Sequence, residues 1–195
     1  MTPNPPVSDV PDLLRRRVLV EAYDPAWPLQ FERLRAGIQA AVGDAAIAIE
    51  HVGSTSVPGL AAKPIIDIDV VVPSRADMAA AIERLAGIGY LHVGDLGIED
   101  REAFEPPPGS PPHHLYACVR GCVALENHLK VRDYLRAHPS AAQAYGELKL
   151  WLAQQYPYEP FRYSMGKTDF LLTVLSDAGC RADDLRKVRR ANSGV

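Results

Sequence analysis

The chain is short of cysteine, of net charge and of long apolar runs, and each shortage excludes something. Its three cysteines, Cys118, Cys122 and Cys180, cannot all pair within one chain, and no signal-peptide pattern stands at the start. Reduced thiols in a reducing compartment, the cytoplasm by default, are therefore expected. A formal charge of -3, from 21 basic and 24 acidic side chains, leaves no chain-wide positive field for holding a nucleic acid backbone. No apolar run approaches the roughly 20 residues that cross a bilayer. The longest, Ile65 to Val72, is interrupted by two aspartates, so no membrane insertion is expected. The basic stretch Arg181 to Arg190 is broken by Asp183 and Asp184; it reads as a solvated helix, without assigned function.

What is present suits one globular core. The 195 residues divide into a proline-rich flexible lead-in over 1–16, a single domain over 17–178 and a tail over 179–195. After a short β-branched run, Arg17 to Glu21, Asp24-Pro25-Ala26-Trp27 starts a helix running to Val42. A strand is predicted over Ala45 to Val52, then a Gly53 to Gly59 turn and a strand over Pro64 to Val72. Ser74 caps a helix to Gly87, and strands follow at Gly89 to Val93, Glu102 to Glu105 and His114 to Val119. Helical spacing marks Leu125 to Ala137, Ser140 to Gln155 and Ser164 to Leu175. The class is α/β (α+β), with a helical C-terminal half.

Chemistry concentrates between residues 51 and 69. Side chains alternate along a strand, so Asp67 and Asp69 share one face, while Ile66, Ile68 and Val70 take the other. Two carboxylates so placed can hold Mg²⁺, which favours a few carboxylate oxygens together with substrate phosphates. The bland alternative is a solvent-facing pair on an edge strand. Upstream, Gly53-Ser54-Thr55-Ser56 leaves a strand directly: glycine admits a phosphate close to the backbone, while hydroxyls and N–H groups bind its oxygens. By itself this is an ordinary polar turn. Phosphate turn and acidic pair in sequence bring both functions to one end of one sheet.

The stretch His51-Val52-Gly53-Ser54-Thr55-Ser56-Val57-Pro58-Gly59-Leu60-Ala61-Ala62-Lys63-Pro64-Ile65-Ile66-Asp67-Ile68-Asp69 resembles the signature of the GrpB-like family, within the nucleotidyltransferase superfamily to which DNA polymerase beta belongs. Tyr23 to Trp27, His114-Leu115, Arg132 to Arg136, His138-Pro139, Tyr145 and Leu148-Lys149 extend the likeness, which covers about Val18 to Ala178. The resemblance implies a nucleotidyltransferase-like mixed sheet flanked by helices, Ser54 near a triphosphate, and Asp67 and Asp69 holding Mg²⁺. It implies transfer of a nucleoside monophosphate from a nucleoside triphosphate to an unidentified acceptor. Gly53, Ser54 and Thr55 become nucleotide contacts, with Lys63, Arg132, Lys149 and Lys167 as phosphate or acceptor contacts. Each of these cations has a duller reading as a solvated or ion-paired surface side chain.

The superfamily usually adds a third carboxylate from a later strand. Here that strand reads His113-His114-Leu115-Tyr116-Ala117-Cys118-Val119, without one, and Tyr116 stands where the family commonly has a second histidine. His114 is either a general base or a structural histidine, and Glu102 and Glu105 on the preceding strand are the candidates to substitute for the missing carboxylate. The rival function is a nucleotide-binding module with little or no transfer activity. GrpB-like domains joined to dephospho-coenzyme A kinase make a coenzyme A link, through a separate partner, a further implication. Gly166-Lys167-Thr168 lacks the first glycine and strand of a P-loop. His113, His114, Cys118 and Cys122 alternate in direction and fit no common zinc spacing.

Overall fold

The computed structural model describes residues 17–193; the proline-rich lead-in lies outside them. Five strands form one mixed sheet in the order β1-β2-β5-β4-β3. They are β1 (Ala48–Val52), β2 (Ile66–Val72), β3 (Leu91–Gly94), β4 (Arg101–Glu105) and β5 (His113–Val119). Only β2 and β5 run parallel. A parallel pair needs a long crossover, which α2 (Met78–Gly87), β3 and β4 provide.

The alternation written in β2 decides the layering. Ile66, Ile68, Val70 and Val72 join Phe104, Leu115 and Ala117 in the main core, covered by α1 (Trp27–Val42) and α2. Each of the Ile, Val, Leu and Phe side chains taken from water contributes about 1.5–3 kcal/mol. The opposite face carries Asp67, Asp69 and Val71, with Val71 packed on Cys118, Cys122 and Leu125 beneath α3 (Val123–Ala137). Next to α3 stand α4 (Pro139–Gln155), α5 (Pro160–Met165), α6 (Thr168–Asp177) and α7 (Ala182–Ser193). Val57 and Leu60, just past the Gly-Ser turn, pack with Leu135, Ala142, Tyr145 and Val174. The helical half is thereby anchored on the turn. Among the described residues no helix is long and apolar enough to cross a membrane.

Several predicted boundaries shift for local reasons. Helix α1 begins at Trp27 because Asp24 Oδ1 accepts the Ala26 N–H at 2.8 Å, which puts Pro28 rather than Pro25 in the first turn. Strand β1 starts at Ala48, since Gly43–Ala45 forms a short 3₁₀ turn off the end of α1. Ser74 does not cap α2: its hydroxyl donates to Asp77 Oδ2 at 2.6 Å, and a 3₁₀ turn over Arg75–Asp77 intervenes. The helix predicted over Ser164 to Leu175 is two helices, α5 and α6, jointed at Gly166 and Lys167. There α5 closes on α4 so tightly that a Cβ at Gly166 would run into Leu152 Cδ2. The Arg17 to Glu21 run contributes a single bridge, Glu21 with Ala62.

Candidate functional site

The register between β1 and β2 sets Val52 opposite Asp67, so the chain leaving β1 turns beside that carboxylate. Gly53 makes the turn at φ +68°, in the left-handed region that favours glycine. A Cβ at this position would collide with Asp67 Oδ2. Glycine is therefore required twice, by the dihedral and by the carboxylate against it. The following turn is braced: Ser56 Oγ donates to Gly53 O at 2.6 Å, and Arg136 donates to Ser56 O from Nε at 3.0 Å and Nη2 at 2.8 Å.

Thr55 is buried and turned inward, its hydroxyl 3.0 Å from His51 Nε2 and 3.4 Å from Ile65 O. Its side chain is structural; Gly53 and Ser54 are the parts of the turn that border a cavity of about 780 Å³. Asp67, Tyr116, His128, Arg132, Tyr145 and Lys167 also line that space.

The two aspartates differ in setting. Asp67 is half-buried, and its Oδ1 lies 2.8 Å from His114 Nδ1, its neighbour across the parallel pair. Asp69 is fully buried; its Oδ2 lies 2.7 Å from His128 Nδ1 on α3, and its Oδ1 has no hydrogen-bond partner. Burial works against a charged His128 imidazole, but the Asp69 carboxylate outweighs it and raises its pKa. Sequence reasoning missed His128. The available signal was the four-residue spacing of His128, Arg132 and Arg136, which lays all three along one stripe of α3.

The predicted cations divide into two groups. Arg132 is committed: Nη1 meets Glu50 Oε2 at 2.7 Å and His51 O at 3.2 Å, and Nε meets Asp133 at 2.7 Å. It ties α3 to β1. The three lysines instead gather around two tyrosines. Lys63 and Lys167 Nζ each lie 4.7 Å from the Tyr163 ring centroid, and Lys149 Nζ lies 4.5 Å from that of Tyr145. Burial raises the Tyr145 phenol pKa, and the neighbouring Ser54 opposes the rise.

Lys149 is 2% exposed, and its ammonium has no hydrogen-bond partner. Burial, helped by the Lys167 charge and opposed by Asp67, pushes its pKa down to about 7. Burial likewise takes Lys167 to about 8, with Lys63 adding to the push and Asp67 resisting. Lys63 is also lowered by burial.

The substitute carboxylates do not complete the acidic pair. Glu102 pairs with Ala117 across the sheet and so points to the main-core face, where its Oε2 is 2.8 Å from His92 Nε2. Glu105 is exposed at the end of β4. Beside Asp67, where a later strand was expected to supply a carboxylate, stands His114. His113 is turned to the other face, bonded to the Tyr90 hydroxyl at 2.7 Å and Pro111 O at 2.7 Å.

Among the described residues no three His, Cys, Asp or Glu side chains converge as a metal nest. Each aspartate gives one oxygen to a histidine and keeps one, and the buried Asp69 Oδ1 accepts nothing. That donor set fits a hard divalent cation taking two protein oxygens and completing its shell with phosphate and water.

A protein of Enterococcus faecalis described as conserved protein GrpB has a crystal structure 34% identical to this chain. The match covers 87% of this chain and 98% of that one at a TM-score of 0.74. UPF0157 protein YqkA of Bacillus subtilis is 37% identical over 84% of this chain but 48% of its own length, so the chain spans about half of that relative. A dephospho-CoA kinase of Mycolicibacterium paratuberculosis is 28% identical over 70% of this chain and 40% of its own. The family model described as GrpB protein matches residues 17–177, the whole stretch that carries the turn, the acidic pair and the lysines. On that match the chain belongs to the GrpB family.

Proposed function

We propose that the protein is a Mg²⁺-dependent nucleotidyltransferase that moves a nucleoside monophosphate from a nucleoside triphosphate to an acceptor hydroxyl. One observation carries this reading. Among the described residues the buried side-chain polar atoms without a hydrogen-bond partner are Asp69 Oδ1, Arg101 Nε, Lys149 Nζ and Thr168 Oγ1. A buried orphan costs about 1–3 kcal/mol, more when charged, so natural proteins keep few. Asp69 shares a strand face with Asp67, and Lys149 feels the Asp67 charge; in this reading the acidic oxygen without a cation and the ammonium without an anion belong to one site. A metal–triphosphate supplies both missing partners.

In this reading Gly53 and Ser54 cradle phosphate oxygens while Lys63, Lys149 and Lys167 neutralise the triphosphate. Asp67 and Asp69 hold Mg²⁺, which when bound neutralises charge on the α-phosphoryl group. His114, oriented by Asp67 through Nδ1, accepts the acceptor's proton at Nε2. The acceptor oxygen bonds to the α-phosphorus, the α-phosphorus bond to the bridging oxygen breaks, and pyrophosphate departs. Arg132 positions the turn through β1 rather than touching phosphate.

A second reading, a nucleotide-binding module without transfer, is favoured by a specific feature: an imidazole stands where the superfamily's third carboxylate is expected. Incubation with each labelled nucleoside triphosphate, Mg²⁺ and a metabolite extract separates the two, with Asp67→Asn/Asp69→Asn as control. Pyrophosphate release abolished in the control supports the transferase. Mg²⁺-dependent binding without release supports the module, and absence of any binding removes both. A link to coenzyme A metabolism through a separate partner, and a cytoplasmic setting, belong to the same proposal.

A further inference from the structure

The cavity does not end at the phosphate turn. Its other end is walled by the 97–101 loop, the start of α3 from Gly121 to Ala124, Asn127 and Lys187. Arg101 looks into this end from β4. The register places it on the same sheet face as the aspartates, opposite Cys118, with Ala103 opposite Tyr116. Strand geometry sets its backbone roughly 13 Å along the strands and about 10 Å across them from Asp67.

Arg101 is nine-tenths buried, and its guanidinium lies 4.5 Å from the Tyr116 ring centroid. That stacking is its one partner among the described residues. Its Nε is closed to solvent with no acceptor, and no carboxylate pairs with it. The acids nearby are otherwise placed: Asp100 is 3.1 Å from Arg75 Nη1, Asp69 faces His128, and Glu99 sits exposed at the rim. A buried arginine is normally paired, because its five donors lose water on burial. A planar fork held by an aromatic ring, beside a cavity and without an anion, is how proteins present a bidentate oxyanion site.

We infer that Arg101 is the anchor of the acceptor subsite, and that the acceptor carries an oxyanion, a phosphate monoester or a carboxylate, in addition to the hydroxyl that attacks. The word acceptor rests on the nucleotidyl-transfer reading; the oxyanion site does not. The arrangement also bounds a length: the guanidinium lies 4.5 Å from the Tyr116 ring and that ring 6.5 Å from the His114 ring, so the oxyanion sits within the span of one metabolite from the attacking hydroxyl.

The test reads Arg101 directly. The ¹H–¹⁵N resonance of its Nε–H, identified by its loss in Arg101→Lys, is followed while methyl phosphate, propionate or a Mg²⁺–nucleoside triphosphate is added to the full chain. Saturable shifts with one of the two small anions, and none with the triphosphate, are expected; which anion acts tells phosphate ester from carboxylate. By calorimetry Arg101→Gln weakens that anion about tenfold or more and leaves triphosphate affinity within about twofold, while Arg101→Lys, which keeps charge but loses the fork, falls between. The inference is overturned if neither small anion moves the resonance. It is equally overturned if Arg101→Gln or Arg101→Lys weakens the triphosphate about tenfold, since Arg101 then serves the nucleotide. If no triphosphate binds the wild type while the small anion still shifts Arg101, the oxyanion site stands and the transferase reading alone falls.

Discussion

The two faces of the central sheet are cut from the same strands and are opposite in kind. Toward α1 and α2, β2, β4 and β5 present Ile66, Ile68, Val70, Phe104, Leu115 and Ala117, packed among the described residues without a polar orphan. Toward α3, the intervening positions present Asp67, Asp69, Tyr116 and Arg101, two of them with buried atoms that bond to nothing. One face stabilises the fold. The other is held in an unfavourable state by it, as expected of a surface arranged for a ligand rather than for stability.

Substitutions on the two faces should therefore part in what they do to triphosphate binding, and the largest effects test the contrast hardest. His128→Ala leaves the fully buried Asp69 carboxylate without its ion-pair partner and is expected to lose about 3–5 kcal/mol in denaturant unfolding. Leu115→Ala, on the apolar face, is expected to lose about 2–5 kcal/mol while binding of Mg²⁺–nucleoside triphosphate stays unchanged in calorimetry. A loss of binding there would mean that the faces are not separable.

Gly53→Ala comes next. Its left-handed dihedral and the collision with Asp67 predict about 1–3 kcal/mol of strain together with loss of triphosphate binding, read by unfolding and calorimetry on the same sample.

Lys149→Met should move the other way. Removing an unpartnered buried ammonium is expected to raise stability by about 1–3 kcal/mol and to weaken the triphosphate. The pH dependence gives an independent handle. The Lys149 pKa is about 7 in the fold against an ordinary 10.5, so between those values the unfolded chain binds more protons. Stability then rises with pH from about 7 toward 10. Below that window both states carry the charge and the penalty is constant. Unfolding curves across this range should be flatter for Lys149→Met than for wild type, with the remaining slope owed in part to Lys167. The smallest effect is Glu105→Gln: an exposed carboxylate at a strand end is expected to change stability by about 0.5 kcal/mol or less and transfer not at all.

Much of this contrast was legible before folding. A period of two in Ile66 to Val72 is enough to separate aspartates from aliphatics, because strand side chains alternate whatever surrounds them. Gly53 next to Ser54 was legible as a turn for an equally local reason. His128 was not, because a histidine in an amphipathic helix looks the same whether it faces solvent or a buried aspartate. The bonds of Arg132 to Glu50 and the His51 carbonyl were not legible either, because those groups come from a strand more than eighty residues earlier. The split between α5 and α6 falls at Gly166, the residue that closes α5 and against which Leu152 of α4 packs; the glycine was legible, the Leu152 contact was not.

By itself the sequence determined the strands, the turn and the division of β2 into an apolar and an acidic face, since dihedral preference and side-chain alternation act over a few residues. Tertiary structure alone decided which charges are satisfied. It paired Asp67 and Asp69 with histidines, gave Arg132 to Glu50, and among the described residues left Lys149 and Arg101 buried against tyrosine rings without an anion. Whether a polar atom finds an acceptor depends on groups distant in the chain and on how much water the packing leaves between them.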